Sequence, residues 1–234
     1  MKILVTFYSL LLSFFSFAQP NLNVQTNERA QVNDLENIVR SWSLNNLIEL
    51  KAEDIEGSAY LNDEFIIGTV TLNTGVKYSN IPLRYNVYND EIEFRSNSGK
   101  LFNIHNPESI KELTIGDSKF IYTDCILHKR NEKLFVEVIL ESNISLLKRY
   151  KMKLNPPKEA ETHKPAQSYS LVKIPSEFLI RKSDGTARLF KNKKELLTLL
   201  SDKSDKIDKL IKQQKLSANN EQDLKTIVKY YNEN

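Results

Sequence analysis

Between Glu64 and Leu154 the chain alternates apolar and polar residues and is cut at short intervals by turn residues. That combination confines it to an antiparallel sheet, because period-two alternation buries one face and tight turns bring successive strands side by side. Leu72-Asn73-Thr74-Gly75-Val76 reads as a three-residue hairpin loop with glycine at the position that wants a left-handed backbone. Pairing Leu72 with Val76 sets Val70 opposite Tyr78. Gly116-Asp117 suits a type II′ turn and aligns Leu113 with Phe120. A two-residue turn at Asn89-Asp90 pairs Tyr88 with Glu91, Val87 with Ile92 and Tyr85 with Phe94. Asp184-Gly185 is a further hairpin signal and aligns Ile180 with Leu189. Four of the six glycines fall at turns, Gly75, Gly116 and Gly185 in those above and Gly99 in the polar stretch Ser96-Asn-Ser-Gly-Lys100, so no glycine-rich loop is left to cradle a phosphate.

Leu134–Leu140 and Leu146–Leu154 read as two longer strands. In the second, Tyr150, Met152 and Leu154 share one face, and Arg149, Lys151 and Lys153 share the other. Pro82 and Pro175 point to edge strands or strand starts, since proline donates nothing to a ladder. Beyond Arg188 the period becomes helical: Leu196, Leu197 and Leu200, then Ile207, Leu210 and Ile211, then Leu224, Ile227, Val228 and Tyr231. Asn192 is a candidate cap for the first of these helices, and Asn219 or Asn220 for the last. Val32, Leu35, Val39 and Trp42 suggest a short helix near the N-terminus. The expected fold class is α+β: a twisted antiparallel β-sheet, open to curling into a half-open barrel, with C-terminal α-helices. The expected division is 1–18 signal peptide, 19–54 N-terminal segment with its short helix, 55–154 antiparallel β-domain, 155–168 linker and 169–234 β-hairpin plus helical C-terminal region.

Lys2 followed by the apolar run Ile3–Phe17 and the small-residue ending Ser16-Phe17-Ala18 has the order of a secretory signal peptide, with cleavage expected after Ala18. The run is about 15 residues, short of the roughly 20 that a spanning helix needs. Removing 18 of 234 residues leaves a mature chain with 32 basic and 30 acidic residues, a net charge of +2. So even a balance gives no general field for a polyanion and argues against nucleic acid as a partner. The single cysteine, Cys125, permits no internal disulfide, and its strand-like apolar context reads as a buried, inert thiol.

No catalytic, cofactor-binding or metal-ligating residue emerges. His105, His128 and His163 are far apart, and none has ligand spacing to another histidine or to Cys125. Glu91 and Glu93 alternate onto one face of their hairpin, expected to be the solvent face, where a solvated pair does no acid–base work. Tyr78, Tyr85, Tyr88 and Phe94 form an aromatic cluster read as core, with Tyr88 on the face opposite Tyr85 and free to meet a ligand or partner. From Arg188 to Asn234 there are 11 basic and 7 acidic residues. Their alternating signs read as solvated helix faces with supporting pairs rather than a lipid-binding surface.

Three segments, Gly57-Ser-Ala-Tyr-Leu-Asn-Asp-Glu-Phe65, Gly68-Thr-Val-Thr-Leu72 and Ile81-Pro-Leu-Arg-Tyr-Asn-Val-Tyr-Asn-Asp-Glu-Ile-Glu-Phe94, resemble a family of exported Gram-negative bacterial proteins of unknown function. In that family similar segments precede further hairpins and a lysine-rich helical tail. The resemblance implies an address, not an activity. The resulting expectation is an exported cell-envelope protein, periplasmic or extracellular, acting as a non-enzymatic binding or interaction module. Its partner would be an envelope protein or small ligand, with no cofactor, no nucleic acid and no transmembrane span in the mature chain. The alternatives are a hydrolase whose site is assembled from dispersed carboxylates, and a carrier of an apolar ligand in a curled sheet.

Overall fold

The computed structural model describes residues 55–157 and 168–234. The expected signal peptide, the short helix at 30–42 and most of the expected linker lie outside these residues. Among the described residues eleven strands form one sheet: β1 (Ile55–Gly57), β2 (Ile66–Leu72), β3 (Lys77–Asn86), β4 (Glu91–Arg95), β5 (Leu101–Asn103), β6 (Ile110–Ile115), β7 (Ser118–Leu127), β8 (Arg130–Leu140), β9 (Ser145–Asn155), β10 (Tyr169–Arg181) and β11 (Ala187–Phe190). The pairing order is β1-β10-β9-β8-β7-β6-β2-β3-β4-β5, and β11 pairs with both β10 and β7. Pairing is antiparallel except for β1 with β10 and β11 with β7. Helices α1 (Lys193–Leu199), α2 (Ser204–Gln214) and α3 (Glu221–Glu233) follow, so the α+β expectation holds.

Where the turn chemistry is local, the expected register is found. The Leu72 N–H donates to Val76 O (2.8 Å), Val70 pairs with Tyr78, and Gly75 has φ +87°. Leu113 pairs with Phe120 across the Gly116 turn. Two hairpins differ. In β3–β4 the pairs are Leu83 with Phe94 and Tyr85 with Ile92, two residues from the expected alignment, and Val87 to Asp90 form a four-residue loop. A slip of two keeps each side chain on its face, so Tyr85, Ile92 and Phe94 are still core (3 %, 0 % and 0 % exposed). The loop is held open from outside: Val87 N–H and Tyr88 N–H both donate to Ala59 O. In β10–β11, Leu179 pairs with Leu189 and Ile180 with Arg188, one residue off, because the loop runs from Lys182 to Thr186.

Pro82 is not on an edge strand, since β3 pairs on both sides. It is tolerated because the β3–β4 ladder begins only at Leu83. Pro175 lies in β10 at a register shift between Ile174 and Glu177, on a stretch that pairs with β9 alone. At Gly68 in β2 an added Cβ would stand 1.9 Å from Thr114 O, so only glycine lets β2 and β6 approach so closely.

Three apolar clusters organise the interior. The largest packs Ile81, Leu83, Phe94, Leu113 and Phe120 between β2–β7, with Tyr150 and Met152 of β9 laid against it. A second, around Cys125, Leu127, Leu147 and Leu179, lies among β7–β11. A third joins Leu146, Ile180 and Phe190 to the helices through Leu196, Ile207, Leu224 and Ile227. Asn192 and Asn220 cap α1 and α3, each side-chain oxygen accepting from the third helical N–H (3.0 Å each). Asn232 of α3 fastens that helix to the sheet by accepting from Ile144 N–H (2.9 Å) and donating to Ile144 O (3.1 Å).

Candidate functional site

Strands β8 and β9 pair only from Glu137 to Leu140. Beyond that point, among the described residues, β8 continues on β7 alone and β9 on β10 alone. The two strands part, and the gap between them is a cleft of about 290 Å³ walled by Leu134, Arg149, Tyr150, Tyr88 and Asp90. Aligned with Tyr122 of β7, Phe135 directs its N–H away from that strand and into the gap. A continuous ladder would satisfy it with a carbonyl of β9. Here the carboxylate of Asp90 does so, at 3.1 and 3.2 Å from its two oxygens, and takes a second donor, Tyr85 Oη, at 2.6 Å. Asp90 is therefore a surrogate for the missing strand, carried across by the Val87–Asp90 loop.

Holding it there costs backbone freedom. Asp90 has φ +57°, a left-handed conformation that aspartate adopts more readily than most residues. Burial pushes the Asp90 carboxyl up to about 6, against the opposing pull of Tyr85, the Phe135 N–H and Arg149. Burial and the adjacent Asp90 charge likewise hold the Tyr85 hydroxyl well above its ordinary range. A perturbed acid in a cleft is the signature of a site. Asp90 is, however, the one carboxylate of the cleft lining set below the surface; the other, Glu132, is exposed.

The charges around this cleft are ordered in pairs. Arg149 and Lys151, neighbours on one face of β9, both reach Glu177 of β10 (3.2 and 2.7 Å), and His128 Nε2 stands 3.8 Å from the same carboxylate. Against desolvation, which would raise it, Lys151 and Arg149 lower the Glu177 pKa. On the other face, Tyr150 Oη and Ser118 Oγ both donate to Glu137 (2.6 Å each). Tyr88 stands at the rim, 36 % exposed, the aromatic of its cluster left accessible. Cys125 is 1 % exposed, and burial pushes its thiol up to about 12, so it is no nucleophile.

Glu91 and Glu93 are not the solvated pair expected. Residues 58–65 fold back over β3 and β4, with Tyr60 bridging to Asn86. They cover Glu93, which is 8 % exposed and accepts from Arg84 Nη2 (2.6 Å), Arg84 Nε (3.2 Å) and Tyr60 Oη (3.0 Å). The Arg84 guanidinium lies between the rings of Tyr60 (3.5 Å to the centroid) and Phe65 (4.4 Å), and Arg95 stacks on the same Phe65 ring (4.3 Å). Glu91 instead accepts from Asn103 Nδ2 (3.0 Å). This is a structural knot in which the covered charges, Arg84 and Glu93, compensate one another. Among the described residues no group of three or more His, Cys, Asp or Glu stands together to hold a metal ion.

The sequence reading singled out Tyr88 as accessible, which it is, although it lies in the Val87–Asp90 loop and not opposite Glu91 as expected. It missed Asp90, Arg149 and the β7–β8 turn. That turn is a two-residue His128-Lys129 loop with both residues at positive φ (+49° and +72°), a geometry normally announced by Asn-Gly and here spelled by residues that give no turn signal. Comparison with protein-family models, curated proteins and solved structures gives no match for this chain.

Proposed function

We propose that the protein is an exported, non-enzymatic binding module of the bacterial cell envelope, and that the cleft where β8 and β9 part is its contact with an envelope partner or small ligand. The observation that carries this reading is the cleft itself: a broken ladder, closed by one carboxylate on a loop, beside an exposed tyrosine. A hydrolase working by paired carboxylates needs two buried acids facing one another, and the lining supplies one. A carrier needs an empty apolar interior, whereas the interior clusters are filled by side chains such as Phe120, Phe135, Leu147 and Leu179. The finer reading of the sheet as a half-open barrel is supported by its pairings. They run in a circuit from β7 through β8, β9, β10 and β11 back to β7, and the circuit is interrupted where β8 and β9 separate. Among the described residues no helix is long and apolar enough to cross a membrane.

The test is site-specific photo-cross-linking in intact cells. A benzoylphenylalanine at Tyr88 is expected to capture a discrete partner, while the same probe at Val76, 47 % exposed at the β2–β3 turn, captures none. Equal labelling from both positions, or none from Tyr88, would remove the cleft from the reading.

A further inference from the structure

A second and wider depression, about 560 Å³, opens between the His128-Lys129 turn, β11 and α1. Its apolar part is made by Ile126, Leu189 and Leu199, all half-buried, with Leu189 packed on the Cys125 cluster and Leu199 on the helix cluster. Its polar part is cationic: Lys129 and Lys191 are exposed, and neither is drawn into an ion pair among the described residues. Arg188 lines it too, already held by Asp184 at 2.7 Å. The one carboxylate of the lining, Glu195, is occupied in capping α1, accepting from Lys191 N–H (2.8 Å) and Asn192 Nδ2 (3.4 Å). His128 adds a further group able to carry positive charge.

The turn that presents His128 and Lys129 is built against conformational preference. Two consecutive left-handed non-glycine residues cost roughly 1 kcal/mol or more each, where Asn-Gly would make the same two-residue turn without that cost. Strained residues of this kind cluster at functional sites. Free cations alone would suit any anion, and an apolar floor alone any hydrophobe. Their adjacency in one depression suits a molecule having both parts.

We infer that this depression binds an amphiphilic anion, a carboxylate or phosphate head on an apolar chain, with Lys129 and Lys191 taking the head and Ile126, Leu189 and Leu199 the chain. The head belongs either to a free fatty acid or to an anionic lipid in a bilayer. The inference does not depend on the cleft at Asp90.

Titration calorimetry with laurate below its micelle concentration, with dodecanol and with inorganic phosphate tests the combination. Flotation with phosphatidylglycerol and with phosphatidylcholine vesicles tests the bilayer source. Laurate, or phosphatidylglycerol vesicles, should bind at least roughly tenfold more tightly than the uncharged or chain-free counterparts, the factor that 1.4 kcal/mol represents. The double variant H128N/K129G keeps the turn and removes the Lys129 ammonium together with the imidazole, and it should weaken that binding by a similar factor while the protein remains folded. Asp90→Asn should leave it unchanged. Laurate binding places the ligand as a free acid; vesicle binding alone, with the same sensitivity to H128N/K129G, places it in a bilayer; both support the inference. Phosphate or dodecanol binding as tightly as laurate, indifference to H128N/K129G, or no binding by either source would overturn it.

Discussion

Asp90 joins three parts of the chain through one side chain: its own loop, Tyr85 of β3 and the backbone of β8. Removing it in Asp90→Ala leaves the Phe135 N–H without an acceptor and the Tyr85 hydroxyl with only the longer bond to Phe135 O (3.5 Å), and the expected loss is about 1–3 kcal/mol by denaturant unfolding. Its charge carries a pH signature. The folded-state value, about 6, lies above the ordinary 3.8. The stabilising contribution of the protonated form is therefore complete below about pH 4 and is lost as pH rises through 6. The difference in unfolding free energy between wild type and Asp90→Asn should fall across pH 4 to 7, by about 3 kcal/mol at most. A flat difference would contradict the burial of this carboxyl. Lys129→Gly should act oppositely to most substitutions. At φ +72° glycine relieves a left-handed side chain, and a gain of up to about 1 kcal/mol is expected in the same assay. Neither residue advertises its role in the sequence. Asp90 looked like half of an ordinary turn, because the N–H it satisfies belongs to a residue 45 positions away.

Elements were legible where their determinants are local. The Gly75 and Gly116 turns, the capping of α1 and α3, and the apolar stripes of all three helices depend on residues a few positions apart, and each is found as read. The hairpins that shifted are those pulled by distant partners. Residues 58–61 grip the end of β3, and the Val87–Asp90 loop is spent on reaching β8. In the other case β11 must also lie parallel to β7, pairing Ala187 with Cys125, which sets where the β10–β11 loop ends. The solvent face expected for Glu93 failed for the same reason, since the segment that covers it carries no signal of its destination. Within β4, Phe94 pairs with Leu83, stacks on Phe102 (5.3 Å between centroids) and is fully buried. Phe94→Ala should cost about 3–5 kcal/mol in equilibrium unfolding. At the other end of the chain, Asn220→Ala deprives α3 of its cap and should cost about 1 kcal/mol.

At the scale of the whole molecule, first and last parts of the sheet are stitched together. Among the described residues β1 has no strand partner but β10, so Ile55 waits for Tyr169, and β7 is flanked on one side by β11. Such pairings have high contact order and form late. A chain ending at residue 157 lacks β10, β11 and helices α1 to α3, and should remain open to protease under conditions where the full chain resists. If the proposed export is right, mass spectrometry of the envelope or secreted fraction will find a mature protein beginning at Gln19; an intact Met1 there would refute it. The late stitching then acquires a meaning in the life of the chain. A polypeptide threading a narrow translocation channel must not lock into its final shape behind the entrance. On that proposal, β1 and β7 obtain their partners β10 and β11 only after residues 169–190 have cleared the channel, and the closing of the sheet is deferred to the far side.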